Sequence, residues 1–151
     1  GRFLGTSVND KEAVSRAFSL TKANRLKDKK FAILSGGEKQ KIVIARAVAQ
    51  TTPWMLLDEP IASLDIKNQI EIMQTLSELN RQEGVSVLMV LHDINLAGIY
   101  CDRLIMLKDG QVIAAGNTNE CLCEENLKKL YDISFFHMDT KKGQRYYYAE
   151  I

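Results

Sequence analysis

The sequence predicts an α/β protein with a largely parallel sheet, flanking helices and C-terminal β-hairpins. Three observations carry that expectation. Two short apolar runs, "WMLLDEP" (54–60) and "VSVLMVLHD" (85–93), end in acids or a histidine, the pattern of buried strands whose C-terminal ends carry chemistry. Stretches with helical periodicity precede and separate them, as in alternating strand–helix folds. An Asp109-Gly110 pair joins two further apolar runs, which marks a two-residue hairpin.

Taken in order, "NDKEAVSRAFSLTKANRLK" (9–27) predicts an amphipathic helix capped by Asn9 or Asp10, with Ala13, Val14, Ala17, Phe18 and Leu20 on its apolar face. The basic "KDKK" that follows is a solvated loop. Ser35 stands where an N-cap belongs and Glu38 lies three positions later, so a capping box opens a mostly buried helix from about residue 37 to 50. Pro53 separates it from the strand "WMLL". A helix over 66–82 carries a stripe of Ile66, Ile70, Met73, Leu76 and Leu79, with Gly84 as its C-terminal stop. The second strand comes next, then a short helix near 95–100 and the Asp109-Gly110 hairpin. "ECLCEENLKKLYD" predicts one helix, and a last hairpin turns around Gly143.

Composition narrows the class. With 151 residues, 46% hydrophobic and 26% charged, the chain can build a real core. A net charge of +1 gives no support for a nucleic-acid surface, which usually shows a strong basic excess. No apolar run reaches the roughly 20 residues that cross a bilayer, and the first ten residues lack the apolar core of a secretory signal. Cys101, Cys121 and Cys123 have no zinc-site spacing, so reduced cytosolic thiols are expected, with "CLC" as metal ligands the alternative.

The residues that could carry chemistry sit at element ends. Asp58 and Glu59 close the first strand, where ligands gather in α/β sheets. An aspartate there can hold Mg²⁺ through water, and a neighbouring glutamate can polarise an attacking water; the alternative is a pair of solvated acids. His92 ends the second strand, either as a structural hydrogen-bonder or as a catalytic group, and Asp65 reads equally as a plain helix N-cap. The adjacent Gly36 and Gly37 are the anomaly. Glycine costs a helix about 1 kcal/mol relative to alanine, and the expected compensation is a phosphate approaching the helix N-terminus, where the backbone N–H groups are unpaired.

"LSGGEKQKIVIARAVAQTTPWMLLDEPIASLD", followed by "VLMVLHD", resembles the nucleotide-binding subunit of an ATP-binding-cassette transporter. "LSGGE" resembles the signature loop and "WMLLDE" the Walker B strand, with 23 positions from Ser35 to Asp58. "ASLD" resembles the D-loop and His92 the switch histidine. The resemblance implies a partial P-loop ATPase core with a helical signature subdomain. It implies ATP and Mg²⁺ as cofactors, with Asp58 at the metal, Glu59 and His92 catalytic, and Asp65 in the D-loop. Ser35, Gly36, Gly37, Glu38 and Gln40 would then contact ATP held by a second nucleotide-binding subunit. An integral-membrane permease is the other implied partner, with the subunit peripheral on the cytoplasmic face of the membrane and no nucleic acid involved.

No GxxxxGK[ST] occurs, so the phosphate-cradling loop and its lysine are missing. The sequence therefore reads as the C-terminal part of such a subunit, with an incomplete nucleotide site of its own. It divides as a helical subdomain with the signature (1–50), the C-terminal part of the ATPase core (51–117), and a C-terminal helix and hairpin (118–151). Without the missing strand, the "VSVLMVLH" edge is expected to lie open and to favour self-association. "LSGGE" and "GNTNECLCEENLKKLYDI" resemble importers of iron–siderophore, haem or cobalamin, with Ile61, Thr118 and Cys123 departing from that pattern. The competing expectations are a non-transport ATPase of the same family and a non-catalytic binding or dimerisation module.

Overall fold

The computed structural model describes residues 8–141 and 143–150, which form two compact units, one ending at Val90 and the other beginning at Leu91. Residues 8–50 and 51–90 therefore share one unit.

In the first unit, α1 (Val8–Leu20) is followed by two short 3-10 turns, then α2 (Gly36–Val48), β1 (Trp54–Leu57), α3 (Ile66–Glu83) and β2 (Ser86–Met89). Helix α1 is shorter than predicted and starts earlier, so Asn9 and Asp10 lie within its first turn and do not cap it. It buries Ala17, whereas Val14 is exposed. The chain then turns inward through Ala23, Leu26 and Leu34, which form a small buried cluster with Phe18 and Ile42 packed on it.

Helix α3 supplies the centre of this unit. Ile72, Met73, Thr75, Leu76 and Leu79 are buried along it, so the face it buries is rotated from the predicted stripe. Ile66 and Ile70 are exposed. They occupy the first turns, before the helix meets the rest of the core. The Thr75 hydroxyl is satisfied by donating to the Glu71 carbonyl at 2.8 Å. Gly84 ends the helix at φ 66, a left-handed angle that glycine adopts without strain.

β1 and β2 pair in parallel, Trp54 opposite Ser86 through Leu57 opposite Met89. Only one face of the pair is covered. Met55 is buried, but Trp54, Leu56 and Leu88 are exposed on the other face. The prediction of fully buried strands is corrected here. Among the described residues β2 has no second strand neighbour, and nothing covers the Trp54–Leu56–Leu88 face. Helix α2 is likewise half-buried where a mostly buried helix was expected, with only Gly37, Ile44 and Ala45 fully enclosed.

The second unit contains α4 (Ile94–Tyr100), the antiparallel hairpin β3 (Arg103–Lys108) and β4 (Gln111–Asn117), α5 (Thr118–Cys121), α6 (Glu124–Tyr131), and the hairpin β5 (Phe135–Asp139) and β6 (Arg145–Ala149). Asp109 and Gly110 both have positive φ, 51 and 75, as the predicted turn requires. Met106, Cys121, Leu122, Leu127 and Tyr147 make the core. The single helix expected over 120–132 is two. Cys123 is extended (φ −138, ψ 160) and starts α6, while the Leu122 carbonyl accepts from the Tyr147 hydroxyl. Parallel pairing is thus confined to β1–β2, within an α/β arrangement of three two-stranded sheets among the described residues.

Candidate functional site

The turn before α2 is built by its own sequence. Leu34 is buried in the Ala23–Leu26 cluster, which anchors the chain just ahead of the helix. Ser35 is extended (φ −64, ψ 166) and caps α2. Its Oγ accepts from the Glu38 N–H at 3.3 Å, and its own N–H donates to Glu38 Oε2 at 2.9 Å, completing the capping box. The other Glu38 oxygen accepts from Lys29 Nζ at 3.0 Å. The Ser35 N–H and the Lys29 ammonium hold the Glu38 carboxyl below the usual carboxylate range. Lys39 lies over the Phe31 ring, 6.0 Å from its centroid.

Ser35 and Gly36 are exposed, whereas Gly37 is buried. The first N–H groups of a helix have no acceptor within it, and α2 directs its positive dipole end towards this turn. The Ser35 hydroxyl and the Gly36 N–H are therefore donors at the surface in a position suited to an anionic oxygen. Glu38 does not. Its carboxylate is engaged with Ser35 and Lys29, so it shapes the turn and offers nothing to an anion. Gln40 is half-buried in the first turns of α2.

Asp58 and Glu59 follow directly on β1, and both are exposed. Glu59 has φ 44, an unusual angle for a non-glycine residue and one that concentrates at functional sites. Pro60 and Ile61 after it are buried and hold the chain down. Among the described residues, no group of three His, Cys, Asp or Glu side chains could hold a metal. Asp58 can supply one carboxylate, the share a protein gives to Mg²⁺ when phosphates and water supply the rest. These residues fit a metal that arrives with a nucleotide, and do not fit a metal cage.

Asp65 caps α3, its Oδ1 accepting from the Asn68 N–H at 2.8 Å and its Oδ2 from Asn68 Nδ2 at 2.7 Å. These bonds hold its carboxyl below the usual range. The expectation that His92 ends the second strand is corrected: β2 stops at Met89, and His92 lies exposed outside it, one residue before the α4 cap Asp93. Asp93 Oδ1 accepts from the Asn95 and Leu96 N–H groups at 2.8 Å. The sequence reasoning passed over Asn68, Lys29 and Leu64. Asn68 had a local signal, an amide three positions after a capping acid. Lys29 and Leu64 had none, because their contacts depend on tertiary approach.

The ABC transporter family model matches residues 5–62, which span both the Ser35 turn and the Asp58–Glu59 strand end. The chain belongs to the ABC transporter family. The ferric enterobactin transport ATP-binding protein FepC of Escherichia coli (strain K12) is 41% identical over 130 residues, which is 86% of this chain and 48% of that protein. The petrobactin import ATP-binding protein FpuC of Bacillus anthracis is 42% identical over 124 residues, 82% of this chain and 46% of that protein. This chain spans about half the length of the curated relatives it matches. Among solved structures, an ABC transporter described as of metal-chelate type, in an inward-facing conformation, aligns over 100% of this chain and 61% of its own at a TM-score of 0.92 and 26% identity. Membership agrees with the α/β architecture and with the placement of the motifs at element ends. No helix among the described residues is long and apolar enough to cross a membrane.

Proposed function

We propose that this chain is the signature-bearing and Walker B part of an ATP-binding subunit that powers import of an iron chelate. The observation that carries the reading is the Ser35–Gly36 turn. It is exposed, closed by a capping box and aimed by a helix dipole. Such a turn acts on ATP held by a second subunit. Ser35 and Gly36 would donate in trans to the terminal phosphate of that ATP. At the nucleotide of its own subunit, Asp58 would sit at the accompanying Mg²⁺, Glu59 would orient or deprotonate the attacking water, and His92 would have a phosphate-contacting role. When bound, ATP supplies the phosphoanhydride bond whose hydrolysis is coupled to transport.

The iron-chelate substrate is supported by the names of the relatives, ferric enterobactin and petrobactin transport proteins, and by the metal-chelate description of the structural neighbour. Peripheral attachment to a membrane permease and pairing of two subunits follow from the same reading. A fluorescent ATP analogue titrated into the 151-residue chain tests it. The expected result is no saturable binding at micromolar concentration, with binding recovered in the full-length subunit. Micromolar binding by the chain alone would show that it holds nucleotide itself and would remove the in-trans role.

A further inference from the structure

The two adjacent glycines have different surroundings. A Cβ on Gly36 would meet only Leu64 Cδ2, at 3.3 Å, the tip of a flexible side chain. A Cβ on Gly37 would lie 2.5 Å from Asn68 Cγ and closer still to Oδ1, an overlap that no rotamer of an ordinary side chain tolerates. Asn68 is not free to swing away. Its side-chain amide donates to Asp65 Oδ2 at 2.7 Å and its backbone N–H to Asp65 Oδ1 at 2.8 Å. Further along the same pair of helices, Lys41 Nζ bonds Glu71 Oε2 at 2.7 Å. Helices α2 and α3 are therefore joined at two successive levels, and the first lies directly behind the exposed Ser35–Gly36 turn.

We propose that Asn68 is a positioning residue that sets the register between the Ser35–Gly36 turn and the Asp65 cap, and that residue 37 is glycine because a side chain there would meet Asn68. The inference rests on the phosphate-facing reading of the turn. Asn68 touches no ligand in it and acts through the backbone it supports. A displacement of about 1 Å in a charge-stabilising donor can cost on the order of 100-fold in rate. Loss of register lowers kcat more than it raises KM, because the nucleotide is gripped by the other subunit and the turn matters most as charge develops.

Steady-state ATPase kinetics of the full-length subunit, with thermal melting of each variant, test the proposal. Asn68→Ala is expected to lower kcat about tenfold with KM within about twofold. Asn68→Asp keeps the volume but sets a carboxylate against Asp65, and shows the same split should the alanine variant unfold. Gly37→Ala is expected to be more damaging than either, and Gly37→Ala/Asn68→Ala to recover most of the way to Asn68→Ala, since the overlapping atoms are gone and only Asn68 Cβ, at 3.1 Å, must still give by a few tenths of an ångström. Wild-type kcat in both Asn68 variants would overturn the assignment. So would a double variant no better than Gly37→Ala, which would mean that the glycine serves the ligand directly. Glu59→Gln run alongside separates the two levels. If it abolishes turnover while Asn68 proves neutral, only the positioning role fails. If it leaves turnover intact, the parent reading fails with it.

Discussion

The β1–β2 pair and the β3–β4 hairpin each cover one face and bare the other, but they are held by opposite means. The hairpin is local. A two-residue turn sets its register as far as a one-residue shift between Met106 and Leu107, and Met106 on its covered face packs into a cluster closed by Leu122, Leu127 and Tyr147. The β1–β2 pair is joined only through the 18-residue α3, its open face carries Trp54, Leu56 and Leu88, and β2 has no further strand partner among the described residues. The candidate acids Asp58 and Glu59 follow directly on the less supported pair. The hairpin's strand pairing is local, whereas the pairing of the sheet that presents Asp58 and Glu59 spans the whole of α3. Amide exchange is therefore expected to be faster across β1–β2 than across β3–β4. Equal protection in the two would erase the contrast.

The largest expected effect lies at the end of β1. Glu59→Gln in the full-length subunit should reduce ATP turnover by about 100-fold or more while leaving ATP binding unchanged. Retained steady-state hydrolysis would take Glu59 out of the role. Next come the two cores. Leu76→Ala and Leu127→Ala remove fully enclosed side chains from the first and second units, and each should cost about 2–5 kcal/mol by urea unfolding. Two separate transitions, each moved by only one of the substitutions, would show that the units unfold independently. Ser35→Ala should cost about 1 kcal/mol through loss of the cap, in addition to its effect on turnover.

Acid should act on the first unit through Glu71 and Asp65, whose carboxyls are held low by Lys41 and by the Asn68 amides respectively. A folded-state pKa below the unfolded one gives stability that is complete above the unfolded value. That stability is lost as pH falls through the folded value. The loss should begin below the ordinary glutamate value of 4.5, and Glu71→Gln should flatten it. The smallest effect belongs to the open face. Leu56→Ser should change stability by no more than about 0.5 kcal/mol, because the side chain is already in water. It should reduce self-association measured by light scattering.

What was legible in the sequence was what is encoded at short range. The capping box of Ser35 and Glu38 spans three positions, the hairpin turn is two residues, and the Gly84 stop is one; all three stand as read. The break at Leu122–Cys123 was hidden because the bond that stabilises it comes from Tyr147, 25 positions away. The bare faces of β1 and β2 were misread as buried because an apolar run records a preference for burial and says nothing of whether a neighbour is present. At the site, the Ser35 cap and its Glu38 partner were legible because they are three positions apart. The packing of residue 37 against Asn68, 31 positions away, and the pairing of Glu38 with Lys29 were not, because tertiary approach makes them.

The central claim is that the α2 turn faces a phosphate bound by another molecule, and Gly36→Asp in a Glu59→Gln background tests it most directly. A Cβ at residue 36 meets only a movable leucine tip, and an acid in the first turn suits the helix dipole, so the fold is retained. Size-exclusion chromatography of the full-length protein with ATP should show association for Glu59→Gln alone and none once the added carboxylate repels the phosphate. Undiminished ATP-dependent association of the double variant would contradict the account.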